Sequence, residues 1–298
     1  RARGPPTMAM SDGEIWTWAD GSWHQGDVKL VGTADHGFWQ GSMVFDGARG
    51  FEGVAPDLDL HCARVNASAE VMGLSPTLEA GEMAELAAEG LAKFRGETPV
   101  YVRPMYWARG GDASIISPDP GTTAFALCLE AMPMKAPEEM PEGGLRITTT
   151  RFSRPLRTMA PTDAKAGCLY PNNARMVREA KAKGFDNAVS LDALGNLAEL
   201  ATANVFLVKD GVVATPIANG TFLAGITRMR VMHLLREAGH DVRECVLTPR
   251  DLAEADEAFS TGNANKVVPI VRFDDVEFGA GPVAREARAR YWDYAHAA

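Results

Sequence analysis

Between residues 14 and 54 the apolar positions come in short runs separated by turn signals. IWTW is followed by an Asp20-Gly21 turn, then VKLV, then SMVFDG with glycine close on either side, and each run predicts a short strand. From Glu79 to Phe94 the period changes. Apolar and alanine positions fall at helical spacing with acidic residues early, which predicts a helix. TPVYVRPMYWA and TTAFALCLEAM return to strand patterns, and the second is apolar enough along its length to belong inside a sheet. MKAPEEMPEGG, residues 134 to 144, then breaks the periodicity with prolines, glycines and glutamates and reads as an interdomain linker.

The second half opens with a strand, LRITTTRFS. A loop from Pro155 to Pro171 leads into a helix from about Asn172 to Lys183, with Asn172 or Asn173 as its cap and Gly184 as its stop. Three strands follow, with turns at Leu194-Gly195-Asn196 and Lys209-Asp210-Gly211. A helix beginning at Ile226, strands EAFST and VVPIVRF, and a helix from about Pro282 complete the pattern. These elements predict an α+β chain with mixed layers, divided into residues 11–133 and 145–298 on either side of the linker.

At 298 residues the chain exceeds the usual size of one hydrophobic core, so two domains are expected. A composition that is 46% hydrophobic and 23% charged is that of an ordinary globular protein. The net charge of −9, with no basic run to offset it, argues against nucleic acid or an anionic membrane as partner. Cys62, Cys128, Cys168 and Cys245 form no CxxC pair and have no metal-type spacing to the histidines, which predicts reduced thiols, no metal site and a cytoplasmic location. No segment reaches the roughly 18 apolar residues of a membrane span, and the opening RARGPPTMAM lacks the apolar stretch of a signal peptide and reads as a lead-in.

Few side chains stand out as chemistry. Lys165 in DAKAGCLY is set among small and apolar residues with only Asp163 as a nearby carboxylate, and desolvation favours the neutral amine that Schiff-base chemistry requires. The plainer alternative is a loop lysine beside small residues. Glu199 in NLAELATANVFLV has apolar neighbours on both sides and needs a partner if buried, or else faces water from an edge strand. At LAGITR the backbone N–H groups of Ile226 and Thr227 open a helix directly after Gly225, as in many phosphate sites, or simply cap it. Arg64 in LHCARV and Arg103 in YVRPMYW would each need an anion if buried, and otherwise reach the surface. Dinucleotide, Walker, HExxH and GxSxG motifs are absent.

Seven segments in order, GSMVFDGAR, LDLHCARV, YVRPM, KAGCLY, GFDNAVSLDALGNLAELATANVFLVKDGVVATP, LAGITR and FSTGNANKVVPI, resemble the fold-type-IV pyridoxal-phosphate enzymes, and among them the branched-chain amino-acid aminotransferases. They cover nearly the whole chain. The resemblance implies that Lys165 holds the cofactor covalently and carries the proton. It implies further that Tyr170 bonds the phenolic oxygen, that Glu199 faces the ring nitrogen, and that Arg64, Ile226, Thr227 and Asn263 complete the cofactor site. It places Phe45, Gly47, Arg49, Tyr101, Arg103 and Ala264 on the substrate side. Amino transfer from a branched-chain or other hydrophobic L-amino acid to 2-oxoglutarate by a homodimer is the implied activity. An (R)-selective amine or D-amino-acid transaminase on the same fold, or a non-catalytic metabolite-binding protein, are the rival implications. The chain departs from the family pattern at Asp46, where Glu is usual, and at Gln40, Pro137 and Asn263.

Overall fold

The computed structural model describes residues 13–279 and 281–297, so the lead-in read at residues 1 to 10 lies outside the described residues. Two compact units divide between Met134 and Lys135.

The first unit contains β1 (Ile15–Ala19), β2 (Ser22–Gln25), a helical turn α1 (His36–Trp39), β3 (Met43–Phe45), β4 (Ala48–Gly50), α2 (Leu58–Val71), α3 (Ala80–Leu91), β5 (Val100–Ala108) and β6 (Thr123–Ala131). Its strands pair antiparallel in the order β2-β1-β6-β5-β3, with β4 also on β5. The apolar run in TTAFALCLEAM is thus an interior strand, as its composition predicts. Asp20 and Gly21 both take positive φ, 50° and 82°, and close the first hairpin.

The strand after that turn is SWHQ, not VKLV. Residues 28–31 form no ladder and instead line a cavity of about 440 Å³ with Phe38, Met43, Met105 and Trp107. Val28 and Leu30 are half-buried there and Val31 is exposed. Helix α2 falls where no helix is expected from the sequence, yet Cys62, Val65 and Ala69 lie on one buried face at helical spacing. Helix α3 opens on a capping box in which the Glu79 N–H donates to Glu82 Oε2 at 3.0 Å.

The second unit contains β7 (Leu145–Ser153), α4 (Tyr170–Ala182), β8 (Asn187–Leu191), β9 (Leu197–Leu200), β10 (Asn204–Lys209), β11 (Val212–Pro216), α5 (Ile226–Glu237), β12 (Asp241–Cys245), α6 (Pro249–Ala253), β13 (Glu257–Gly262), β14 (Lys266–Phe273), β15 (Val276–Glu277) and α7 (Pro282–Ala297). Its sheet runs β12-β11-β10-β13-β14-β7-β8-β9, parallel at β11/β12, β14/β7 and β7/β8 and antiparallel elsewhere. Ahead of β7, residues 134–144 hold two 3₁₀ turns, Pro137–Glu139 and Pro141–Gly143.

Central strands carry continuous buried runs because both faces are covered. Ile147, Leu200, Leu207, Leu252 and Ile270 form one core cluster, while Met176 and Ala180 of α4 pack on Ala188 and Ala201. Helix α4 begins at Tyr170 with Pro171 in its first turn, so neither Asn172 nor Asn173 is the cap. Their amides are used sideways: Asn172 donates to the Ser153 carbonyl and Asn173 accepts from Arg154. Gly184 ends the segment at φ 86°, and Asp210 and Gly211 close the β10–β11 hairpin at φ 48° and 79°.

Phe206 and Phe259 face each other across β10 and β13, stacked at 4.8 Å and both fully buried. Phe206→Ala should cost about 3–5 kcal/mol, read as a lowered urea midpoint at unchanged slope.

Candidate active site

In the second unit Lys165 lies between two buried alanines, Ala164 and Ala166, on the loop that leads into α4. Its Nζ donates to the Tyr170 hydroxyl at 2.8 Å. Asp163, the one carboxylate close to it in sequence, is instead paired with Arg157 at 2.7 Å. Asp163 is thus engaged elsewhere, and the Tyr170 phenol stands at hydrogen-bond distance from the lysine.

Glu199 is 8% exposed on β9, all four residues of which are buried, so the alternative of an edge glutamate facing water does not hold. Burial pushes its carboxyl up to about 7, against the opposing charges of Arg154 and Lys165. Arg154 Nε lies 3.3 Å from Glu199 Oε1. Arg154 is itself buried, and donates to the Thr221 carbonyl at 3.0 Å and to Asn173 Oδ1 at 2.9 Å. Asn204 approaches Glu199 Oε2 at 3.5 Å and donates to the Leu223 carbonyl at 3.3 Å. Neither Arg154 nor Asn204 figured among the sequence candidates. An arginine before a proline at a strand end carries no local mark of the carboxylate that it will meet.

Helix α5 starts at Ile226, with Gly225 as its N-cap and no side chain bonded to the cap. Thr227 is 3% exposed there. A Cβ on Gly225 would come within 2.0 Å of Asn204 Oδ1, so the helix start and Asn204 are in close contact. Asn204 stands opposite Thr261 in the β10/β13 ladder, which brings the turn containing Asn263 and Ala264 onto the neighbouring strand end. In that turn Asn263 Oδ1 accepts from the buried Lys266 at 2.8 Å. Asn263 Nδ2 and Thr261 Oγ1 are buried without hydrogen-bond partners.

The first unit gathers the other sequence candidates. Asp46 is fully buried and accepts from Arg64 Nε at 2.7 Å, Arg64 Nη2 at 2.9 Å and the Gly47 N–H at 2.7 Å, with His61 Nδ1 at 2.6 Å. Burial alone would raise its pKa; the Arg64 charge and the His61 hydrogen bond outweigh this and hold it well below the usual carboxylate range. Gly47 is packed on Tyr101, whose hydroxyl would lie 2.2 Å from an added Cβ. Arg49 and Arg103 both lie over the Tyr101 ring, at 5.6 and 5.2 Å. Phe45 sits one strand over, opposite Met105.

Residues 43–273 match the model of the amino-transferase class IV family. A probable branched-chain-amino-acid aminotransferase of Rickettsia bellii is 30% identical over 89% of both chains. Among solved structures, an aminotransferase of Brucella abortus bound to the co-factor PLP superposes with a TM-score of 0.92 at 57% identity, covering 95% of this chain and 99% of that one. The branched-chain aminotransferase of Thermoproteus uzoniensis, solved with norvaline, gives 0.85 at 28% identity over 94% of each. The chain belongs to the class IV aminotransferases.

Because the Glu199 carboxyl is raised in the folded protein, the native state keeps a proton that the unfolded chain gives up. Without cofactor, stability should therefore fall as pH rises from about 4.5 to about 7, by about 3 kcal/mol, and then level off. Glu199→Gln should flatten that slope, measured by urea unfolding of the cofactor-free protein across this range.

Proposed function

We propose that the protein transfers an amino group between a branched-chain or other hydrophobic L-amino acid and a 2-oxo acid, using pyridoxal 5'-phosphate held at Lys165. The observation that carries the reading is the Lys165–Tyr170 contact at 2.8 Å beside a buried, arginine-flanked Glu199. The orphaned donors Asn263 Nδ2 and Thr261 Oγ1, and the uncapped start of α5, fit an anionic cofactor that brings its own acceptors. The likeness to the probable branched-chain enzyme of Rickettsia and the branched-chain aminotransferase of Thermoproteus supports the substrate class, and the PLP of the Brucella structure supports the cofactor.

Each residue then has a task. Lys165 Nζ accepts and returns the proton of the substrate α-carbon, and the neighbouring phenol of Tyr170 orients that amine. Glu199 would pair with the cofactor's ring nitrogen and favour its protonated form, while Arg154 and Asn204 fix the carboxylate. Ile226 and Thr227 would offer backbone and hydroxyl donors to the phosphate. When bound, the cofactor supplies an electron sink for the pair left at the α-carbon. The family resemblance supports 2-oxoglutarate as an acceptor and a homodimer as the working unit. Unpaired Cys62, Cys128, Cys168 and Cys245 accord with a cytoplasmic setting, and no helix among the described residues is long and apolar enough to cross a membrane.

The purified protein should show a visible absorption band, and borohydride should fix the cofactor on Lys165 in peptide maps. A colourless protein, or an adduct on another residue, would sink the cofactor assignment. Leucine, D-alanine and (R)-1-phenylethylamine should then be offered with 2-oxoglutarate and with pyruvate. Turnover of leucine is the expected outcome, and turnover of the (R)-amine alone would overturn the substrate class. Glu199→Gln should retain bound cofactor yet lose at least about tenfold in turnover, since a charge-assisted hydrogen bond is worth about 1.5–3 kcal/mol.

A further inference from the structure

Arg49, Tyr101, Arg103 and Glu130 form a charge cluster on the first sheet. Strands β5 and β6 place Tyr101 opposite Glu130, and Arg103 opposite Cys128. Arg103 Nη2 donates to Glu130 Oε2 at 2.5 Å, the two side chains being 27% and 7% exposed. Arg49 stands opposite Tyr101 on β4 and is buried. Its Nη1 and Nη2 donate to the carbonyls of Met132 and Pro133 at 2.6 and 3.4 Å, and its Nε is buried without a hydrogen-bond partner. Burial pushes the Arg49 guanidinium down to about 10, which leaves it a cation at neutral pH.

Of the two cations, Arg49 is enclosed and Arg103 is the one with surface to offer a ligand. Arg103, however, already holds a carboxylate. A ligand bringing a second carboxylate would have to share one guanidinium with Glu130 in a part-buried site, where two like charges at contact distance repel strongly. A ligand with an uncharged side chain meets an internally balanced pair and the face of the Tyr101 ring, with no such conflict. Glu130 also orders the Arg103 side chain, which helps any ligand that uses it, but ordering one side chain is a smaller effect than juxtaposing two carboxylates.

We propose that Glu130 is a specificity-determining residue, which occupies Arg103 so that this subsite disfavours dicarboxylates and favours monocarboxylate substrates with uncharged side chains. The inference rests on the reading in which Arg103 and Tyr101 meet the substrate. Within the proposed reaction, glutamate and 2-oxoglutarate are then the weakly held partners, and the hydrophobic amino acid and its 2-oxo acid the tightly held ones. Sequence pattern does not show this, because Glu130 and Arg103 are 27 residues apart and meet only through the register of β5 and β6.

The test uses the cofactor-loaded enzyme and calorimetric titration with two unreactive ligands, glutarate and 4-methylvalerate. Glu130→Gln should tighten glutarate by about tenfold or more, leave 4-methylvalerate within about twofold, and make glutarate binding more sensitive to salt. The gain should vanish when Arg103→Ala is added. Unaltered or weaker glutarate binding in Glu130→Gln, or a gain that survives loss of Arg103, would overturn the proposal. Should Glu130→Gln fail to fold, Arg103→Ala alone decides the matter: glutarate affinity should drop by less than about threefold if Glu130 already neutralises that arginine, and a loss of about tenfold or more would refute it. These titrations need no turnover, so an enzyme inactive with every donor would count against the proposed reaction without touching the result for Glu130.

Discussion

A carboxylate shut away from water has to be answered by charge or by a proton, and Glu199 imposes that demand on the second unit. All four residues of its strand are buried. The answer comes from three other places in the chain. Arg154 arrives from the end of β7, Asn204 from the start of β10, and the charge of Lys165 from the loop before α4. Arg154 cannot drift toward water either, since Thr221 and Asn173 hold it. One unfavourable burial thus ties together segments that are far apart in sequence.

The first unit repeats this logic with full ionic partners. Asp46 is buried as completely as any described carboxylate in that unit. It is met by Arg64, His61 and the Gly47 N–H together, so its charge is spread over several hydrogen bonds. Arginine does most of this work because its planar fork serves two carboxylate oxygens at once, or a carboxylate and a carbonyl.

What could be read in the sequence follows from how local the determinants are. The start of α5 at Ile226, the hairpin at Asp210-Gly211 and the interior strand Thr123–Ala131 are written in consecutive residues, and the structure places them there. VKLV has the composition of a strand, but it borders a pocket and joins no backbone ladder. SWHQ is a short, largely exposed strand whose one apolar residue, Trp23, gives no alternation to read. In the site, Lys165 and Glu199 declared themselves as polar groups in apolar text. Arg154, Asn204, Asp46 and Glu130 did not, because each matters through a partner supplied by strand register or by a turn far away.

Gly225 carries a consequence for anyone who would engineer this protein. Helix starts are a favoured place to add stability, and serine, threonine or aspartate at an N-cap is the usual improvement. Here the added Cβ would press on an asparagine amide that is already bonded to Leu223 and set against Glu199. The helix would gain a cap while the asparagine beside the buried carboxylate lost its seat. The bare glycine is therefore set by its buried neighbour rather than by the helix, and the usual stabilising cap at position 225 would displace that asparagine instead of strengthening the fold.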